Sequence, residues 1–335
     1  MLNGHGDDLH LIKGKIKYNF SSNVYYQGAP KTLLTHILES VPLIQNYPSP
    51  TAHELNKLAA KKFGLTSENF LFTNGATEAF YLIAQFFANK KAAILAPTFA
   101  EYEDACKIFN LDYQLISITE IKDVTTDVIF ICSPNNPTGT TLATNQLETL
   151  VELKPETTFV IDEAYIEFTE NTTSLLSLTI KYSNLIVVRS LTKTFTIPGL
   201  RLGYMVSHPK ITRQITALKM PWSVNALAIK AGEFIFNNYE SLQFDASKLL
   251  KETAIFKNEL SKLKGLKIHP STTSYFLVQL VHKSARELKE YLIDNHQILI
   301  RDATNFKKLD GEYIRLSTQD KKANSMLIKA LKEWI

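Results

Sequence analysis

The sequence predicts an α/β protein: a large domain built on a wound, mostly parallel seven-stranded sheet between helices, plus a smaller α+β domain. Three observations predict it. From residue 69 to 206, short runs rich in β-branched and aromatic residues alternate with longer amphipathic stretches, as strands joined by crossover helices do. Several runs are apolar throughout rather than alternating, as expected of strands covered by helices on both faces. After Pro209 helical patterns dominate, followed by short strand candidates among helices. A chain of 335 residues also exceeds one ordinary core.

Taken in order, the strand candidates are residues 69–72, 92–95, 113–118, 127–132, 158–161, 185–188 and 202–206, with helical patterns such as 77–88 and 145–153 between them. An earlier helix is marked at both ends. Thr51 with Glu54 three residues on reads as a capping box after Pro50, and Gly64 ends the pattern. Residues 224–264 read as one long helix bridging the domains. Strand candidates 274–280, 297–301 and 313–317 follow. The expected division is an N-terminal arm (1–40) contributing to the small domain and substrate site, a large domain (41–225) and a small C-terminal domain (226–335).

The formal charge is only +4, and basic and acidic residues are interspersed, so nothing points to nucleic acid or a membrane surface. No apolar run approaches the roughly 20 residues of a membrane helix, and the polar, acidic start does not read as a signal peptide. The two cysteines, Cys106 and Cys132, lie in apolar stretches, which fits a reducing, cytoplasmic setting rather than a disulfide scaffold.

Three segments sit at or just after strand ends, where open α/β sheets place ligand sites. They are Ser133-Pro134-Asn135-Asn136-Pro137-Thr138-Gly139, then Asp162-Glu163-Ala164-Tyr165, then Ser190-Leu191-Thr192-Lys193-Thr194-Phe195 with Gly199-Leu200-Arg201-Leu202-Gly203-Tyr204. Singly, each has an ordinary reading. Asn-Pro-Thr-Gly is a good turn, an Asp after a strand often caps a helix, and a Thr-Lys pair is usually surface.

In this order and spacing the three resemble the motifs of fold-type-I pyridoxal 5′-phosphate (PLP) enzymes of the aminotransferase class I/II superfamily, whose aspartate aminotransferase-like fold is thereby implied. The resemblance covers nearly the whole chain. It implies PLP held as a Schiff base on Lys193, an amine that must lose its proton again to act as a base. It implies Asp162 against the pyridine nitrogen, where a carboxylate keeps the ring a strong electron sink, and Asn136 and Tyr165 as donors to the cofactor's phenolic oxygen. Ser190, Thr192 and Arg201 match the phosphate cup. Gly75-Ala76-Thr77 supply further donors from a helix N-terminus, which favours an anion. Phe99 matches the aromatic that stacks on the ring, with Tyr102 the alternative. Tyr47, in Asn46-Tyr47-Pro48, matches the tyrosine that reaches a neighbouring subunit's cofactor, so a homodimer is implied.

Tyr-Pro-x-Pro-Thr with Gly-Ala-Thr-Glu resembles one branch, the histidinol-phosphate aminotransferases and the L-threonine O-3-phosphate decarboxylases of cobalamin biosynthesis. Both act on small phosphorylated, amino-acid-like substrates. Arg301 and Arg315 match the branch's two substrate arginines, a type that binds phosphate and carboxylate bidentately. His5-Gly6 and Phe20-Ser21-Ser22-Asn23 resemble opening segments of the decarboxylases, so His5, Gly6, Asn23 and Asn136 join the arginines as expected substrate contacts. Decarboxylation is therefore placed ahead of transamination. Two positions depart from that pattern: Asp7 stands where the decarboxylases have a second glycine, and Val24-Tyr25-Tyr26-Gln27-Gly28 stands for Ile-Asn-Pro-Leu-Gly. Other readings are weaker. His5, Asp7, Asp8 and His10 as metal ligands lack a supporting motif, so no metal is expected. A nucleotide site lacks its glycine loop, and a regulatory relative would need an added DNA-binding domain.

Overall fold

The structure is a computed structural model and describes residues 7–12 and 14–335; His5 and Gly6 lie outside the described residues. Seven strands form the large sheet: β1 (Phe70–Thr73), β2 (Lys91–Leu95), β3 (Asp112–Ile116), β4 (Val128–Cys132), β5 (Thr158–Asp162), β6 (Leu185–Ser190) and β7 (Gly203–Ser207). Their order is β1-β7-β6-β5-β4-β2-β3. Only β7 runs against its neighbours; every other pairing is parallel. β1, β4, β6 and β7 are buried along their whole length, which explains their unbroken apolar runs. The expected seven strands are all present. The run 113–118 stops at Ile116, because Ser117 opens a turn in which its N–H donates to Glu120 (2.6 Å).

A second, four-stranded sheet is antiparallel: β8 (Leu266–Ile268), β9 (Tyr275–Leu280), β10 (Arg301–Asp302) and β11 (Glu312–Ser317), in the order β10-β11-β9-β8. Its core packs Phe276, Ile314 and Leu316 against helices Ala246–Ser261, Ala285–His296 and Lys321–Trp334. The N-terminal arm joins this unit. Tyr18–Asn19 pairs in parallel with Ile298–Leu299, and Phe20 is buried in its core.

Two helix expectations are corrected. The helix near 51 runs His53–Phe63, and its N-cap is not Thr51 but Ala52, in a left-handed conformation (φ 52°) with no side-chain cap. Ala52 is buried in the large core and Glu54 pairs with Lys57 instead (3.0 Å), so burial decides the start over the local capping signal. Gly64 does end that helix, at φ 68°. The stretch 224–264 is not continuous. Helix Ala226–Asn237 is followed by a short turn of helix, Tyr239–Leu242, and a break before Ala246–Ser261. At the break Phe244 turns inward, stacking on Tyr25 (4.4 Å) and contacting Phe168 (4.8 Å). Ala226–Asn237 packs into the large core with Leu33, Leu55 and Phe72, whereas Ala246–Ser261 packs on the small sheet. No helix among the described residues is long and apolar enough to cross a membrane.

Candidate active site

The parallel strands release their chains at one sheet edge, where side chains are exposed between the crossover helices. There β4 delivers Asn136, β5 ends on Asp162 and β6 ends on Ser190. Lys193 follows in the helical turn Leu191–Thr194. β2 leads to Phe99 and β1 to the helix Gly75–Phe86. These groups enclose a cavity of about 340 Å³ lined by Ala76, Thr77, Phe99, Asn136, Asp162, Tyr165, Ser190, Thr192, Lys193 and Arg201. The N-terminal arm and small sheet close it with Asp7, Ser21, Asn23 and Arg315.

Asp162 is buried, and its partners fix both oxygens. The Tyr102 hydroxyl donates to Oδ2, the Ala164 N–H donates to Oδ1 (2.9 Å), and the Cys132 thiol lies 3.8 Å from Oδ2. Cys132 is there because it is Asp162's registered neighbour on β4. Burial pushes the carboxyl up to about 6 against those hydrogen bonds, so Asp162 is poised to pair with a buried cationic or N–H group. Across the cavity, burial pulls Lys193 down to about 8, helped by the charges of Arg315 and Arg201. Its amine is thus available as a nucleophile or base much nearer neutrality than an ordinary lysine. Burial also raises the Tyr165 phenol to about 12 against the pull of Arg315, which keeps it a hydrogen-bond donor.

At the other end, donors converge. The helix Gly75–Phe86 presents its first N–H groups, which have no intrahelical acceptor, beside the Arg201 guanidinium. Gly75 has φ 78°, and a Cβ there would lie 2.5 Å from Arg201 Nη2, so only glycine leaves room for the cation. Ser190 and Thr192 hydroxyls lie 2.7 Å apart at the same wall. This end suits an anion.

Arg301 and Arg315 are directly registered on β10 and β11, so both side chains leave one face of the small sheet. Like charges directly opposite are unfavourable; burial, then Arg315, pulls the Arg301 guanidinium down to about 10. Arg315 lines the main cavity. It donates to Asn136 Oδ1 through Nη1 and to the Ser21 carbonyl through Nη2 (2.5 Å), while its buried Nε has no partner. Arg301 lines an adjoining pocket that shares Phe99, Asn136 and Arg315; it donates to Asn305 (2.8 Å) and lies over the Phe306 ring. Asn23 is buried beside the Tyr165 phenol, which its side chain helps to acidify, though neither amide atom makes a hydrogen bond of good geometry.

Besides Arg301, which lines only the adjoining pocket, Tyr47 is not brought to the cavity by its own chain. Tyr47 is 87% exposed, 5.3 Å from the ring of Trp222 on an outer face. The sequence reading missed Tyr102 as a partner of Asp162: its ring is stacked on Phe130 (5.6 Å) rather than facing the cavity, which leaves Phe99 as the aromatic wall. It also missed Arg189, buried at the end of an apolar strand and paired with Glu163 (3.3 Å) and Glu167. Glu167 in turn accepts from Thr194 (3.2 Å), next to Lys193. A charged residue inside an otherwise apolar run was the available signal. Among the described residues no group of three or more His, Cys, Asp or Glu side chains could hold a metal ion.

The model of the aminotransferase class I and II family matches residues 15–331. The chain belongs to that family. It is the family of PLP enzymes whose motifs the sequence carries, and relatives across it are enzymes. Within it, the chain is 31% identical to a histidinol-phosphate aminotransferase from Thermoanaerobacter pseudethanolicus, over 95% of this chain and 93% of that protein. It is 30% identical to a threonine-phosphate decarboxylase from Salmonella typhimurium, over 94% and 90%. The crystal structure of L-threonine-O-3-phosphate decarboxylase from Porphyromonas gingivalis superimposes with a TM-score of 0.92 at 37% identity, over 95% and 99%.

Proposed function

We propose that this aminotransferase-family chain binds PLP and decarboxylates L-threonine O-3-phosphate, working as a cytoplasmic homodimer. The cavity fits the cofactor on its own chemistry. It holds an amine with lowered basicity, a buried carboxyl, an anion-suited end, and a buried Arg315 Nε without a partner. Lys193 would carry PLP, Asp162 would hold the ring nitrogen, Asn136 and Tyr165 would donate to the phenolic oxygen, and Ser190, Thr192, Arg201 and residues 75–77 would hold the phosphate.

When bound, PLP supplies the electron sink for the bond broken at the substrate Cα. Asp162 keeps a proton at the ring nitrogen, and Tyr102 keeps Asp162 in place. Lys193 Nζ, with its lowered basicity, can take or return a proton near neutral pH. The observation that carries the reading is the registered pair Arg301 and Arg315 on one sheet face, two bidentate cations for a substrate with two anionic groups. Holding both groups with Arg301 and Arg315 would orient the substrate Cα and so decide which of its bonds the cofactor's electron sink acts on. A clamp that presents the carboxylate for cleavage would select loss of CO₂. Likeness to the Porphyromonas gingivalis decarboxylase at 37% identity supports this choice.

Transamination of histidinol phosphate is the second reading, favoured by the 31% identity to the Thermoanaerobacter pseudethanolicus protein and by the departures at Asp7 and 24–27. The test is to supply L-threonine O-3-phosphate alone to the PLP-loaded protein. The proposal expects CO₂ and aminopropanol phosphate. Absence of both, with pyridoxamine phosphate formed from glutamate, would assign the chain to transamination. The cytoplasmic setting rests on two buried, unpaired cysteines, and the dimer on the apolar outer face around Tyr47 and Trp222.

A further inference from the structure

The N-terminal arm puts a carboxylate into a cavity whose other walls are rich in donors and cations. Asp7 lines the cavity with Lys193, Arg201 and Arg315. Its backbone is left-handed, at φ 63°, a conformation that glycine adopts freely and aspartate tolerates better than most residues. Here the same backbone carries a charged side chain.

That side chain is held in place. The Asp7 N–H donates to Ser21 Oγ (3.0 Å), and Asn19 Nδ2 donates to Asp7 Oδ1 (2.6 Å). The next residue, Asp8, is pinned by Lys289 (2.6 Å). Four charged groups act on Lys193: Arg315 and Arg201 lower its pKa, whereas Asp7 and Asp162 raise it. Of these two carboxylates, Asp162 is buried behind the Tyr102 hydroxyl, and Asp7 is the one at the cavity's solvent side.

An incoming amino-acid-like substrate brings an ammonium group as well as its anions. Arg301 and Arg315 suit the anions, but a cation arriving beside Lys193 needs an acceptor. We propose that Asp7 is a specificity-determining residue of this chain, receiving the substrate's ammonium group at the mouth of the cavity beside Lys193. Its Oδ2 is the acceptor, since Oδ1 is engaged by Asn19. This role rests on the PLP assignment of Lys193 but not on the choice between decarboxylation and transamination, because both candidate substrates carry the amine.

The experiment compares PLP-loaded wild type with Asp7→Asn and Asp7→Gly. First, the visible absorbance band of each holoenzyme is titrated against pH without substrate. Removing a negative charge near Lys193 should lower the midpoint of that titration by about half a unit. Second, steady-state constants are measured with L-threonine O-3-phosphate, or with histidinol phosphate if only that turns over. Loss of a charge-assisted hydrogen bond should raise KM about tenfold with kcat nearly unchanged. Asp7→Glu should recover part of both effects. An unshifted midpoint or an unchanged KM in Asp7→Asn overturns the proposal. Failure of the decarboxylase reading looks different, as missing CO₂ in wild type and variants alike.

Discussion

Lys193 and Asp162 both line the cavity, with shifts of opposite consequence, both dominated by burial. For Lys193 the folded value, about 8, lies below the ordinary 10.5. Between those values the unfolded chain binds more protons than the folded one, so stability rises with pH through that window and the penalty is fully present below pH 8. It is on the order of 2–3 kcal/mol. Cofactor-free Lys193→Met should therefore resist urea better than cofactor-free wild type at pH 7, by about 2 kcal/mol, with the gap closing towards pH 10.5. Equal midpoints at pH 7 would mean that the amine is not held at a cost. For Asp162 the folded value, about 6, lies above 3.8, so here stability falls as pH rises from about 4 to 6. Near neutrality both groups disfavour the empty site, and the proposed cationic ring at Asp162 and covalent link at Lys193 would relieve both. The sequence showed these residue types through their motifs. It did not show Tyr102 as the donor to Asp162, because that contact joins the first turn of a helix to a strand end 60 residues away.

At the scale of elements, β10 and β11 matter most, because their register alone brings Arg301 opposite Arg315. Each replaced by Ala should lose a charge-assisted bond worth about 1.5–3 kcal/mol, roughly 10- to 150-fold in kcat/KM, with PLP occupancy unchanged. Loss of cofactor from Arg301→Ala would show that it serves the cofactor instead. The strands were legible because helices cover both faces of the large sheet and force unbroken apolar runs. The helix start at His53 and the break after Leu242 were not, because tertiary burial of Ala52 and the packing of half-buried Phe244 on Tyr25 overrode the local pattern. A signal for the break existed: Asp245 caps the next helix through the Lys248 N–H (2.9 Å). Since the helix before this break packs with the large core and the one after it with the small sheet, we propose that the domains divide near residue 243 rather than at 226.

For the whole molecule, the exposed apolar side chains include Tyr47 and Trp222, whose rings are in contact, and Leu38, Ile44 and Met220 near them in sequence. A second copy would cover them, and the homodimer would bring each Tyr47 to the other subunit's cofactor phosphate. Tyr47→Phe should then weaken PLP retention while leaving the fold intact, read as faster cofactor loss on dilution with unchanged circular dichroism. A fully active monomer in dilute solution would contradict the shared site. The elements of the site meet at Lys193, which the large sheet positions, Arg315 and Arg201 tune, and the arm bearing Asp7 approaches. The most direct test is to load the protein with PLP, reduce it with borohydride and map the modified peptide. The account predicts a yellow protein and one pyridoxyl group on Lys193; a colourless protein, or a pyridoxyl group fixed on another lysine, would contradict it.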